Sequence, residues 1–203
     1  MNKRNSLIIL VGCGGHSRSV ADVLILNDPT VTLLFVDENA RDNEKLYGFD
    51  VVRHIEPMGR PYFFALGDNT QRKMKYDEIG GSGLISVISK KAHLGHKSTV
   101  GKGCFIANYC HIGPEAEIGE NTIINTSAVI EHEVKIGNHS HIGPRAVVSG
   151  RSSIGDLAFI GVGAVVKDNI TICSGVIIGA GATVIKTIDE PGTYVGTPVR
   201  KIS

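Results

Sequence analysis

The sequence predicts two unlike halves: a small parallel α/β domain over residues 1–90, then a parallel β-helix over residues 91–203. Three observations carry that reading. Short apolar runs alternate with a helical pattern in the first half. From Leu94 an aliphatic residue recurs at every sixth position. Glycine is in excess, with 25 residues against about 14 at an average usage of roughly 7%. With no Trp and 5% aromatics, the chain reads as tight turns around a core of small side chains.

Leu7 to Val11 is a short apolar strand. Gly12-Cys13-Gly14-Gly15 is a tight turn, after which Val20, Val23 and Leu24 recur at helical spacing. Val31 to Val36 is a second strand ending at Asp37-Glu38, which completes a βαβ unit. Tyr62 to Leu66 is a third strand, followed by Gly67-Asp68-Asn69. A helix from about Thr70 to Ile79 stops at Gly80-Gly81, and Leu84 to Ile88 is the last strand of this half.

Stepping by six from Leu94 to Val184 meets sixteen positions, all Leu, Ile or Val, with no insertion. Four residues after each lies a small or aliphatic residue, such as Ala116, Ala146, Ala158, Ala164 and Ala182. The residue just after the aliphatic is Gly in nine of the first fifteen units. Neither a helix nor an alternating strand has this period; it is the hexapeptide repeat of a parallel β-helix. The 90 residues make five coils of 18, with three faces each. Glu190 to Pro198 is turn-rich and forms a C-terminal cap.

Composition excludes several classes. The formal charge is +1, from 21 Lys and Arg against 20 Asp and Glu, which argues against a nucleic-acid surface. A hydrophobic fraction of 42% with 20% charged residues excludes general disorder. Cys13, Cys104, Cys110 and Cys173 are scattered without a CxxC pair and read as reduced thiols in the cytoplasm. Lys3 and Arg4 before Leu7–Cys13 imitate a lipoprotein cleavage box. The five-residue apolar run is shorter than the roughly 7–15 of a secretory signal. No stretch approaches the roughly 20 apolar residues of a membrane span. The expectation is a soluble protein with a buried first strand.

Functional residues are sought where the repeat breaks its own rule. Glycine at the second position is replaced in Asn125 and Glu131 of consecutive units, and His132-Glu133 follows at once. An imidazole beside a carboxylate is the composition of a general base with its orienting partner. A solvated coil corner is equally consistent with it. Residues 18 apart stack on neighbouring coils, which places Gly150 next to His132. Such a glycine admits a ligand and offers an N–H to a developing oxyanion. His132 and His141 are nine apart, half a coil, so one site using both requires two subunits. His111, His132, His139 and His141 do not stack at 18, so no metal site is expected. In the first half, Gly14-Gly15-His16 follows a strand and opens a helix, where main-chain N–H groups cradle phosphate. Asp37-Glu38 lies where a ribose-binding acid would. Ser17 replaces the third glycine of the dinucleotide pattern, which favours a smaller nucleotide or a bare turn.

Together these residues resemble the bacterial sugar acyltransferases that join a Rossmann-like N-terminal domain to a left-handed parallel β-helix of hexapeptide repeats. The likeness is to the acetyltransferases of nucleotide-linked 4-amino-4,6-dideoxy sugars, as in the bacillosamine pathway. It rests on Gly14-Gly15-His16, on Asn125 to Glu133 and on the Gly192 to Ile202 ending. The resemblance implies His132 as general base and Glu133 as the residue that holds it. It implies Asn125 on the sugar, and Asp37, Glu38 and Gly67 around the nucleotide. It places His141 near the acetyl group of acetyl-CoA and the Gly150 N–H at the thioester oxygen. Val162 and Ala180 would bind the pantetheine arm, although family members commonly have Gly at the latter. The implied enzyme is a cytoplasmic homotrimer with intersubunit sites and no metal, serving O-antigen or glycoprotein biosynthesis. The alternatives are a sugar or sialic acid O-acetyltransferase, a metal-dependent hydratase, and a non-catalytic β-helix.

Overall fold

Each half buries its apolar residues by the rule its own period dictates. The computed structural model describes residues 7–55 and 59–203; the Lys3-Arg4 pair lies outside them. The chain divides into two units, Met1–Val87 and Ile88–Ser203.

In the first unit, β1 (Leu7–Val11), α1 (Gly15–Asn27), β2 (Thr32–Val36), β3 (Lys45–Leu46), β4 (Phe49–Val52), β5 (Tyr62–Phe64) and α2 (Asn69–Ile79) follow in order. The sheet order is β3-β4-β2-β1-β5, parallel except for β3. Central strands of a parallel sheet are covered on both faces, so they read as continuous apolar runs. Ile9, Leu10, Phe35, Phe63 and Phe64 are accordingly buried completely. Helix α1 buries Val20, Ala21, Val23 and Leu24 along one stripe. The β3–β4 hairpin was not expected. Its two-residue turn, Tyr47-Gly48, has both φ angles positive, at 53° and 84°, as a hairpin matching strand twist requires. The expected strand from Leu84 to Ile88 is reduced to one bridge from Leu84 to Tyr62 and a two-residue strand, Val87–Ile88. That two-residue strand belongs to the sheet of Phe105–Ile106 rather than to the sheet of β5.

The second unit is a left-handed parallel β-helix. Face I runs from His93–Leu94 to Thr183–Val184 and face II from Thr99–Val100 to Thr171–Ile172. Face III contains Phe105–Ile106, Ile123–Ile124, His141–Ile142, Phe159–Ile160 and Ile177–Ile178. Each strand pairs with the one 18 residues on, as in Ile112 with Ile130, Ile118 with Ile136 and Ile124 with Ile142. The repeat aliphatics and the small residues four positions later fill the interior, among them Ile106, Ile130, Ala128, Ala146 and Ala164. Each buried aliphatic is worth roughly 1.5–3 kcal/mol. Leu94 departs from this and is 40% exposed, because its strand ends the face I ladder.

The glycine preference at the second position has a packing cause. A Cβ on Gly95, Gly113 or Gly161 would lie 2.6–2.7 Å from the main chain of the next coil. The left-handed φ falls two residues later instead, at every sixth residue from Lys97 to Gly181. The outward positions differ by face. Face II presents Thr99, Glu117, Lys135, Ser153 and Thr171, whereas face I carries His93, His111, Val129, Val147 and Val165, and face III Phe159 and Ile177, with Phe105 and Ile123 of the same column fully buried. The cap adds strand Thr193–Val195 to face III beside Ile177–Ile178, and closes it with an antiparallel pairing to Arg200–Lys201.

Candidate active site

The corner between faces I and II carries the imidazole and carboxylate. His132 and Glu133 lie in the turn from Val129–Ile130 to Lys135–Ile136. Glu133 takes the left-handed turn conformation, with φ 58°. His132 Nδ1 is 2.9 Å from Glu133 Oε2. An ionised carboxylate only accepts, so this partner fixes the proton on Nδ1 and leaves Nε2 as the basic nitrogen.

Two glycines set the position of His132. A Cβ on Gly113 would lie 2.7 Å from the His132 main-chain nitrogen. A Cβ on Gly150 would lie 2.5 Å from Nε2 and 2.6 Å from Cε1. The ring thus occupies the space a side chain at 150 would take. Main-chain bonds complete the stack: Arg151 N–H donates to the His132 carbonyl at 3.0 Å, and Glu133 N–H to Pro114 at 3.0 Å. The stacking of Gly150 on His132 expected from the 18-residue period is therefore found.

The corner between faces III and I holds Asn125, Val162 and Ala180, and His141 lies on the face III strand beside it. His141 is 9% exposed, with its ring edge-on to Phe159 at 5.1 Å. Asn125 Oδ1 accepts from Thr126 N–H at 2.8 Å, so its Nδ2 is the donor toward His141 Nε2 at 3.1 Å. Val162, 52% exposed, and Ala180 follow on this corner at successive coils. Beside them Gly163 and Gly181 have φ near +65° and open space where a Cβ would be. Asn125 and His132, neighbours in sequence, lie on different corners. One strand of face I separates them.

In the first unit, Gly14 precedes α1 without a side-chain cap, and a Cβ at Gly14 or Gly15 would meet no atom within 4 Å. Asp37 Oδ2 accepts from Cys13 N–H at 3.0 Å and Oδ1 from Asn39 N–H at 3.0 Å. Its carboxylate thereby ties the turn after β1 to the end of β2. Glu38 is exposed. A cavity of about 220 Å³ is lined by Cys13, Asp37, Asn39, Ala40, Arg41 and Glu44. Burial, then the charges of Glu44 and Asp37, push the Cys13 thiol pKa up. A Cβ at Gly67 would stand 3.5 Å from His16 Cβ, in ordinary contact. The loop of Gly67 is held by Arg72, which the sequence does not single out. Fully buried, Arg72 donates to the carbonyls of Leu66, Gly67 and Asp68 at 3.1–3.3 Å, and to Asn69 Oδ1 at 2.8 Å. The available signal was an arginine one turn after the helix-capping Asp68.

The PglD N-terminal domain family matches residues 7–79, and the bacterial transferase hexapeptide (six repeats) family matches residues 115–150. Each match falls within one of the two halves of the fold, the first on the α/β sheet and its helices and the second on the hexapeptide coils. It is similar to the acetyltransferase domain of PglB from Neisseria gonorrhoeae in complex with acetyl coenzyme A. That likeness has 25% identity and a TM-score of 0.90, over 98% of this chain and 100% of that one. It is also similar to a perosamine N-acetyltransferase mutant from Caulobacter crescentus in complex with CoA and GDP-perosamine. Here identity is 27% and the TM-score 0.84, over 97% of this chain and 96% of that one. An uncharacterized protein of Acanthamoeba polyphaga mimivirus is 32% identical over 106 residues. The match spans 50% of this chain but 21% of the viral protein. Among the described residues, no three His, Cys, Asp or Glu side chains converge to hold a metal, and no helix is long and apolar enough to cross a membrane.

Proposed function

We propose that the protein transfers the acetyl group of acetyl-CoA to the 4-amino group of a nucleotide-linked 4-amino-4,6-dideoxy sugar. The observation that carries this reading is the His132–Glu133 pair packed on Gly150. His132 Nε2 accepts the amine proton as nitrogen attacks the thioester carbonyl, and Glu133 holds the ring and stabilises the imidazolium; the tetrahedral intermediate then collapses with cleavage of the C–S bond, and the imidazolium returns the proton to the leaving CoA thiolate. General-base assistance of this kind is worth about 10²–10⁴ in rate. The Gly150 N–H stabilises the oxyanion, worth about 3 kcal/mol. Asn125 contacts the sugar and His141 stands near the acetyl group. The open strip at Val162, Gly163, Ala180 and Gly181 fits an extended arm bonded to main chain. In the first unit, the uncapped α1 turn at Gly14-Gly15-His16 fits a phosphate, with Asp37, Glu38 and Gly67 around the nucleotide.

The working assembly is a homotrimer, as the resemblance implies; the two groups of residues occupy different corners of one β-helix, which supports a site shared between subunits. Apolar outer columns on faces I and III, against a polar face II, give the surfaces that pack. The protein acts in the cytoplasm, where both substrates are made. Thiol release from acetyl-CoA is measured with UDP-, dTDP- and GDP-linked 4-amino sugars and with free sialic acid. Release with one nucleotide amino sugar, abolished in His132→Ala, supports the reading. Release with sialic acid alone replaces it with O-acetylation, and no release with any acceptor removes it. For the assembly, His132→Ala and Ala180→Trp subunits are co-expressed. Intersubunit sites draw each corner from an independent chain, so about ½ × ½, a quarter, of wild-type activity returns. Sites within one chain return none.

A further inference from the structure

The Glu133 carboxylate faces a second partner. Arg151 lies one coil above Glu133, 18 residues on, at the same left-handed turn position, with φ 57° against 58°. Its guanidinium NH1 is 3.9 Å from Glu133 Oε2, the atom that meets His132 Nδ1 at 2.9 Å. At that separation the two are in charge contact rather than hydrogen-bonded. The guanidinium is itself pinned from the next coil: Nε donates to Asn169 Oδ1 at 3.2 Å. Asn169 Nδ2 in turn donates to Asp168 Oδ2 at 3.0 Å, and Lys167 Nζ is 3.4 Å from Asp168 Oδ1. A line of alternating acceptors and donors thus runs up this corner over three coils and ends on the imidazole.

We propose that Arg151 is a positioning residue for the base, acting through Glu133; this rests on the acetyltransfer reading. An arginine is always protonated and keeps its charge at every working pH. Held between Asn169 and Glu133, it directs the carboxylate along the coil corner, where it accepts Nδ1–H. Nε2 is thereby left on the side of the ring toward Gly150. The repeat itself does not require this residue: the equivalent position is Lys97, Glu115, Glu133 and Asn169 at the same corner of other coils, and Leu157 and Gly163 at the other corners of its own. Arg151 touches neither His132 side-chain nitrogen nor the reacting atoms in this role, so it sets geometry rather than chemistry.

The test uses Arg151→Gln and Arg151→Lys in the full chain. Side-chain ¹⁵N chemical shifts of labelled histidine, assigned by loss of the signal in His132→Ala, report the tautomer of His132. In Arg151→Gln the Nδ1–H form is expected to lose population, and kcat to fall about five-fold with KM unchanged for both substrates. Arg151→Lys, which keeps the charge, is expected to recover most of both. An unchanged tautomer in Arg151→Gln overturns the proposal, and so does a rise in KM at constant kcat, which would place Arg151 on substrate. The tautomer measurement needs no turnover. If no acceptor is acetylated by the wild type, it still decides whether Arg151 positions the ring.

Discussion

Replacing Gly150 by alanine separates catalysis from folding at one methyl group. The added Cβ would lie 2.5 Å from His132 Nε2, whereas ordinary contact begins at 3.4 Å. The ring must therefore recede by 3.4 − 2.5 = 0.9 Å. It can do so, because the His132 side chain is 42% exposed and swings into solvent. Nothing in the main chain resists, since φ at 150 is not in the left-handed region. The stability change is expected to stay below about 1 kcal/mol. The 2.9 Å bond to Glu133 is lost, and a displacement near 1 Å costs about 10²-fold in rate. Gly113→Ala is the counterpart. Its Cβ would meet the His132 main-chain nitrogen at 2.7 Å, where no side chain can move aside, and a loss of about 1–3 kcal/mol is expected. The assay is kcat/KM from acetyl-CoA-dependent thiol release beside thermal unfolding of the three proteins. A Gly150→Ala protein with wild-type kcat/KM refutes the argument, and so does one that loses as much stability as Gly113→Ala.

The same structure gives three more outcomes. Glu133→Gln keeps a hydrogen-bonding side chain but removes the charge that stabilises the imidazolium, so kcat should fall by about 10–10² with Tm unchanged. Burial raises the Cys110 thiol to about 11 from an ordinary 9.0, so the folded state holds the proton more tightly than the unfolded chain. Its contribution is complete below pH 9 and is lost as pH climbs from 9 to 11, about 3 kcal/mol in all. Urea midpoints at pH 8 and 11 should therefore diverge less in Cys110→Ala than in the wild type. Arg72→Met removes the buried guanidinium that donates to the Leu66, Gly67 and Asp68 carbonyls and to Asn69 Oδ1, and should cost about 2–4 kcal/mol by denaturant titration.

The β-helix was legible because its rule is one-dimensional: each coil repeats the same inward aliphatic, and an error in one unit leaves the register intact. Its exceptions pointed to His132 and Glu133, since a carboxylate beside an imidazole adds nothing to the core. The division of Asn125 from His132 needed the strand boundaries, because six residues in this fold carry the chain to the next corner. The role of glycine at the second position was also hidden, since sequence does not distinguish a left-handed φ from a close approach of two coils. In the first unit, the β3–β4 hairpin escaped because Lys45-Leu46 and Phe49–Val52 are short and not alternating. Arg72 escaped because its partners are carbonyls, which every residue carries.

A triangular β-helix imposes its own condition on any site it hosts. Strand pairing 18 residues apart consumes the main-chain groups of every face, so unpaired polar groups concentrate at the corners. A corner is convex. It can present a base, as at His132, or a strip of open main chain, as at Gly163 and Gly181, but it cannot by itself surround a ligand. Glycine and left-handed turns at fixed spacing keep each corner sharp along the whole helix. A pocket then requires a second surface, and the outward valines of face I and the Phe159 and Ile177 column of face III supply apolar area to hold one. The placement of the His132–Glu133 pair and of the open strip at Gly163 and Gly181 on separate corners is therefore the arrangement that the proposed function requires of a cleft made by association.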